Sequence, residues 1–177
     1  CPDPRTVIEL DDFHVPRRLR RTVQQRRFEV RVDTAFEAVI DGGADRRETW
    51  ISDEFRRVYG ELHRAGHVHT VETWAQGQLA GGLYGVALGR MFYGESMFSR
   101  ADDASKVALV HLAGQLRAWG FALIDCQQDT AHMRRLGART IARARFRDIL
   151  DANVDLPGRP GPWQLDWSYG EEAWVTP

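Results

Sequence analysis

The sequence predicts an α+β domain in which one mixed sheet is flanked by helices. Two kinds of segment carry that reading. Apolar runs with strand-like alternation crowd into 68–94, with a further buried run at 121–126. Stretches with apolar residues three and four apart lie before, between and after them. With 177 residues, 43% of them apolar, the chain can bury one substantial core, so a single main domain is expected.

Residues 1–27 are rich in Pro and Arg, with Arg17-Arg18-Leu19-Arg20-Arg21 and Arg26-Arg27, and suggest no element. Phe28-Glu29-Val30-Arg31-Val32 alternates like a half-buried strand. Asp33-Thr34 caps a short helix through Phe36, Val39 and Ile40, with Gly42-Gly43 as its stop. Ser52 opens a second helix that carries Phe55, Val58, Tyr59 and Leu62 on one face and ends at Gly66. A meander follows, Val68 to Trp74, Leu79 to Leu88 and Met91 to Gly94, with turns at Gln76-Gly77 and Gly89-Arg90.

The polar loop Ser99-Arg100-Ala101-Asp102-Asp103 then opens a long helix whose Leu109, Leu112 and Leu116 form a sheet-facing stripe. Phe121 to Cys126 is a buried strand, and a last helix spans about Arg143–Ala152. Beyond Asp155 the run Pro157-Gly158-Arg159-Pro160-Gly161-Pro162 marks 156–177 as an extended tail outside a 1–155 domain. This element order matches the layout of acetyltransferase-like (GNAT) domains.

Composition narrows the function. The formal net charge of -1 excludes capture of nucleic acid by the molecule as a whole, so any RNA contact needs a local patch. Nearly all basic residues are Arg, Lys106 being the one lysine. The two cysteines, Cys1 and Cys126, do not make a disulfide scaffold and fit a reducing cytoplasm. No run is long and apolar enough to span a bilayer, and no signal peptide is visible. A start at Cys1 rather than Met suggests a piece of a longer protein. His67-Val68-His69 sets two imidazoles on one strand face, but without further ligands no metal site is expected.

Three blocks carry chemistry. The first is Val71-Glu72-Thr73-Trp74 followed by Gly81-Gly82-Leu83-Tyr84-Gly85-Val86-Ala87. The second is Phe92-Tyr93-Gly94-Glu95-Ser96-Met97-Phe98-Ser99-Arg100 with Ala104-Ser105-Lys106. The third is Ile124-Asp125-Cys126-Gln127, with His132 five residues later and Leu136-Gly137-Ala138 closing it. In this order and spacing the chain closely resembles the leucyl/phenylalanyl-tRNA–protein transferase family from its first residue to about Leu150. Pro2-Asp3-Pro4-Arg5 and Trp50-Ile51 fit as well. The resemblance also implies a further small N-terminal domain that is absent here. Where the family tends to have Glu-Ile-Pro-Arg, this chain has Thr140-Ile141-Ala142-Arg143.

The resemblance implies a bacterial, cytoplasmic, monomeric class of aminoacyltransferase that needs no cofactor. Its members move Leu or Phe from charged tRNA to a protein's N-terminal Arg or Lys, marking that protein for degradation. The step is ester aminolysis, and only a neutral amine attacks. A free α-amine has a pKa of roughly 7.7–8.0, so a proton must be removed. Alignment can supply about 7–11 kcal/mol and a base a further ~10²–10⁴-fold.

By this resemblance Asp125 is the proton acceptor or a positioning anion, with Gln127 relaying or orienting beside it; the plainer reading of Asp125 is a strand-end Asp that caps a neighbouring turn. Strand alternation would set both on one side. Glu95 and Asp125 would select the cationic acceptor; the plainer reading of Glu95 is a salt bridge to Arg100 or another Arg. The aminoacyl pocket would be walled by Leu83, Phe92, Met97, Leu109, Leu112, Leu116 and Ile124, which could equally be ordinary core. Trp74 could stack on the terminal adenine of tRNA, a contact worth about 1–3 kcal/mol, with Glu72 and Ser99 nearby. The alternative for Trp74 is a half-buried structural residue. Arg clusters at 17–27 and at Arg134, Arg135, Arg139 and Arg143 either grip phosphates or are solvated. His132 would orient the segment after the active strand.

Two rivals are an acetyl-CoA-dependent N-acetyltransferase and a non-catalytic RNA-binding module. The first needs a basic, Gly-rich turn to hold pyrophosphate. The turn Arg100-Ala101-Asp102-Asp103-Ala104 has two acids and no glycine. The second sits poorly with near-neutral charge and paired acids beside an apolar pocket.

Overall fold

A computed structural model describes residues 3–44 and 52–170; Cys1, Pro2, Trp50 and Ile51 lie outside them. Seven strands form one sheet: β1 (Arg5–Glu9), β2 (Glu29–Val32), β3 (Val68–Ala75), β4 (Gln78–Leu88), β5 (Met91–Ser99), β6 (Leu123–Gln127) and β7 (Arg139–Ile141), in the order β2-β3-β4-β5-β6-β1-β7. Neighbours are antiparallel except β5 and β6, which run parallel. The helices are α1 (Arg17–Gln24), α2 (Phe36–Ala44), α3 (Asp53–Arg64), α4 (Ala104–Ala118), the short α5 (Ala131–Arg134) and α6 (Arg143–Asn153).

Alternation along the strands sorts the helices onto two faces. Leu83, Phe92 and Ile124 face α4 in the main core, with Leu109, Leu112 and Leu116 opposite them. Tyr84, Met91 and Leu123 point the other way, toward α2 and α3 at one end and Phe146 of α6 at the other. The mixed α+β sheet expected from the sequence is the one observed.

Several local expectations change. The N-terminal stretch holds a strand and a helix. In β1, Val7 and Ile8 are both fully buried, as a central strand covered on both faces requires. In α1, Leu19, Thr22 and Val23 turn inward at helical spacing and leave Arg17, Arg18 and Arg21 exposed, with Arg20 half-buried. The pair Gly42-Gly43 lies inside α2 instead of stopping it. A Cβ at Gly42 would stand 2.5 Å from the Phe98 ring, so glycine here lets the helix approach β5. Val58 of α3 is exposed, while Phe55, Tyr59 and Leu62 pack inward. Ser52 caps that helix, its Oγ accepting from Phe55 N at 3.1 Å. Finally, β5 continues past Gly94 to Ser99.

Residues 156–170 carry no helix or strand and run against the α4 face. Trp163 enters the main core at 6% exposure. Its ring stacks on His69 at 3.6 Å, and its amide donates to Asp33 Oδ2 at 2.8 Å. Asp33 in turn accepts from His69 Nδ1 at 2.8 Å and Thr70 N at 3.0 Å. Further along, Gln115 Oε1 accepts from the amides of Asp166 and Trp167, each at 2.9 Å.

His111 of α4 sits beside Trp167, and burial lowers its pKa to about 4. An unfolded histidine titrates near 6.5. The unfolded state therefore binds the extra proton first, and stability is lost as pH falls from about 6.5 toward 4, by about 3 kcal/mol in all. Denaturant titrations of His111→Gln across that window should show a flatter acid limb than the parent.

Candidate functional site

The site is built by two breaks in strand regularity. The last parallel pair between β5 and β6 is Tyr93 with Asp125, and beyond it the strands part. At that level β5 bulges: Gly85 pairs with Gly94 and Tyr84 with Ser96, leaving Glu95 without an opposite residue. On the other side of the gap, Val7 pairs with Asp125 and Thr6 with Gln127, so Cys126 bulges from β6. A cavity of about 690 Å³ opens in the split. Six of the seven expected pocket residues, Leu83, Phe92, Met97, Leu109, Leu112 and Ile124, line it. Leu116, fully buried, belongs to the core away from this wall.

Glu95 and Gln127 also line the cavity. The Glu95 carboxyl is raised above the usual carboxylate range, first by burial; hydrogen bonds from Tyr59 and Gln127 oppose this, nearby Asp125 adds to it, and Arg5 offsets it. Tyr59, pushed up to about 12 by burial and then by Glu95, remains a neutral hydroxyl donor. Glu95 is thus the carboxylate presented to a hollow with apolar side chains on one wall and Ser96, Gln128, Thr130 and His132 on its rim. Among the described residues no salt bridge joins it to Arg100, whose guanidinium lies 5.4 Å from the Phe98 ring.

Asp125 is placed differently from the expectation. It is fully buried and lies behind the wall, on the sheet face shared with Tyr93 and α6. Arg5 grips it as a fork, Nε to Oδ1 at 2.9 Å and the terminal nitrogen to Oδ2 at 2.6 Å. Its Oδ1 also accepts from Gln127 N at 3.0 Å. Simple alternation does not relate positions 125 and 127, because Cys126 bulges and Gln127 takes φ of +60°. That backbone turns the Gln127 side chain into the cavity, where Nε2 also donates to Gly94 O at 3.3 Å. The two carboxylates still sense each other electrostatically through the split.

The residues expected at the tRNA 3′ end are not brought together. Glu72 is fully buried, and its carboxylate accepts from Thr34 Oγ1 at 2.6 Å and from backbone amides of Thr34 and Ala35 at the start of α2. Those bonds occupy it as a helix cap. Trp74 is half-buried near the β2 edge of the sheet, with Arg31 4.6 Å from its ring. Only Ser99 is beside the pocket. It lines an adjoining cleft with Met97, Arg100, Ser105 and His132, and its Oγ accepts from Ser105 N at 2.9 Å. His132 borders both cavities, and burial together with Lys106 and Arg135 lowers its pKa, favouring the neutral ring.

Sequence reasoning missed Tyr59, read as one more core residue on a helix face, and Arg5, which lies 120 positions from its partner. A hydroxyl on an otherwise apolar stripe was the available signal for Tyr59. None existed for Arg5 beyond its place in the Pro-Asp-Pro-Arg run. At the opening of α4, Asp103 with φ of +66° bonds Lys106 at 2.6 Å, an arrangement that offers an incoming pyrophosphate acid instead of free amides. No group of three or more metal-ligating side chains occurs among the described residues, and no described helix is long and apolar enough to cross a membrane.

The fold and site define a mixed α+β domain whose sheet splits after a parallel strand pair around a pocket. The chain belongs to the leucyl/phenylalanyl-tRNA protein transferase family, whose model matches residues 7–151. It is 53% identical over 169 residues to the leucyl/phenylalanyl-tRNA–protein transferase of Thiobacillus denitrificans, covering 93% of this chain and 74% of that protein. The corresponding proteins of Aromatoleum aromaticum and Salinibacter ruber are 54% and 52% identical, each covering 93% of this chain and 71% and 72% of theirs. Among solved structures, an aminoglycoside acetyltransferase from an uncultured soil sample gives a TM-score of 0.49 at 12% identity, covering 70% of this chain and 88% of that one.

Proposed function

We propose that this chain carries Leu or Phe from charged tRNA onto the N-terminal Arg or Lys of an acceptor protein, marking it for degradation, and that it acts as a cytoplasmic monomer. The observation that carries the reading is a partly desolvated carboxylate, Glu95, beside the apolar wall of a hollow of about 690 Å³. That volume suits a small apolar group held out of water. The wall residues Phe92, Leu109, Leu112 and Ile124 offer a leucyl or phenylalanyl side chain no polar partner and so favour an apolar donor.

In the transfer, the acceptor's α-ammonium gives a proton to Glu95, and the freed nitrogen attacks the ester carbonyl. The new C–N bond forms, the bond to the ribose 3′-oxygen breaks, and the proton held by Glu95 passes to that oxygen, while the second proton that the nitrogen sheds in becoming an amide leaves through Glu95 to water. A carboxyl raised above its usual range is better matched to this exchange than an ordinary one. Glu95 also supplies the charge that favours a cationic N-terminal residue. Gln127 and Tyr59 hold its carboxylate in place, and Asp125 supports Gln127 from behind.

The test is to incubate the chain with leucyl-tRNA or acetyl-CoA and an Arg-starting peptide and to weigh the peptide. A gain of one leucyl residue from tRNA is expected. An acetyl gain would assign the rival chemistry, and no gain with retained RNA binding would assign a binding module. Met97 borders both the pocket and the adjoining cleft, and its flexible thioether adapts the wall to two side-chain shapes. Met97→Ala should therefore broaden donor choice, read as a raised ratio of valine or methionine transfer to leucine transfer, with transfer itself retained.

A further inference from the structure

Behind the pocket wall a second charged pair has its own architecture. Arg5 comes from β1, the strand inserted between β6 and β7, and its side chain is 13% exposed against 0% for Asp125. The contact is fork to fork, and the guanidinium also lies 5.4 Å from the Phe146 ring of α6. Planar delocalised charge, two parallel bonds and an aromatic neighbour suit Arg and not Lys. Asp125 spends its remaining capacity on the Gln127 amide, at the residue whose left-handed backbone aims its side chain at the pocket.

We propose that Arg5 is a positioning residue of the transfer site: by neutralising Asp125 and anchoring the Asp125–Gln127 turn, it leaves Glu95 as the charge that the substrate amine meets. Without Arg5, the charge of Asp125 behind the wall would act on Glu95 unopposed, and the carboxyl in the pocket would hold its proton more tightly. Tyr59 of α3 and Gln127 of β6 hydrogen-bond Glu95, Asp125 of β6 and Arg5 of β1 act on it through space from behind the wall, and His132 lines the same cavity. Tyr93 of β5 stands beside the Arg5–Asp125 pair, its phenol raised by burial and by Asp125 and lowered by Arg5. The role of Arg5 in transfer rests on the function proposed above; its electrostatic action on Glu95 does not.

The experiment is a carbon-13 NMR titration of the Glu95 carboxyl in the intact chain, assigned by its loss in Glu95→Gln. In Arg5→Gln the Glu95 midpoint should move upward, and in Arg5→Gln/Asp125→Asn it should return toward the parent. In Asp125→Asn alone, where Arg5 keeps its charge, it should move downward, which tests the idea even if Arg5→Gln does not fold. An unmoved Glu95 midpoint in a folded Arg5→Gln or Asp125→Asn would overturn the proposal. A leucine-transfer assay on the same proteins separates the two claims. If the parent transfers no leucine the functional reading fails while the titration still decides the electrostatic one, and if it transfers, the acid limb of kcat/KM should move with the midpoint.

Discussion

Glu95→Gln should slow leucine transfer by about 10²–10⁴-fold, the range associated with losing a positioned proton acceptor, while leaving the fold and tRNA binding in place. The substitution keeps shape and removes only charge. Glu95 lines the pocket at a β5 bulge, so its backbone is fixed by the neighbouring pairs Gly85–Gly94 and Tyr84–Ser96 and does not depend on the carboxylate. Its hydrogen bonds from Tyr59 and Gln127 can be redirected to an amide oxygen. In the parent, activity should fall as pH drops through the Glu95 midpoint, which lies above the usual carboxylate range because the group is desolvated. In Glu95→Gln that limb should vanish along with the rate. Single-turnover transfer to an Arg-starting peptide, followed by mass and repeated across pH, measures both. A variant as fast as the parent would assign the proton elsewhere.

The second large effect lies outside the pocket lining, one ring behind Phe92. Trp163→Ala should lower stability by about 3–5 kcal/mol, the range for removing a buried tryptophan. Trp163 is 6% exposed, stacks on His69, and lies 5.0 Å from the Trp119 ring centroid. Its loss would open a hole in the main core and loosen the strap that Asp33 and Gln115 tie down on either side. Denaturant unfolding should report the loss, and amide exchange should rise at Trp163, Asp166 and Trp167 before the sheet. A change of less than 1 kcal/mol would mean that the strap contributes little to the fold.

The contrast between these two sites shows what the sequence could convey. The apolar pattern of β3, β4, α4 and β6 is regular, so the sheet-facing stripe of Leu109, Leu112 and Leu116 could be read from helical spacing, whereas Leu83, Phe92, Met97 and Ile124 were legible as pocket wall only through the family resemblance. The Glu95 block could be recognised because its neighbours form an unusual continuous run. What escaped were departures from periodicity and contacts between distant segments. Alternation assumes an unbroken strand, and a bulge at Cys126 with φ of +60° at Gln127 moved Asp125 and Gln127 to different surroundings. Glu72 reads identically whether its carboxylate faces solvent or caps a helix, and only the approach of Thr34 and Ala35 decides. Arg5 and Trp163 lie in Pro-rich stretches with no period, and each acts through a partner more than 90 residues away, Asp125 and His69.

The central claim is that the aminoacyl side chain enters the gap between β5 and β6. A leucyl group joined to adenosine through a stable amide, added to protein with labelled methyl groups, tests it by nuclear Overhauser contacts. The leucyl methyls should contact Leu109, Leu112 and Ile124, with the Met97 methyl alongside. Contacts instead at Trp74 and the β2 edge, with the pocket methyls undisturbed, would contradict the account.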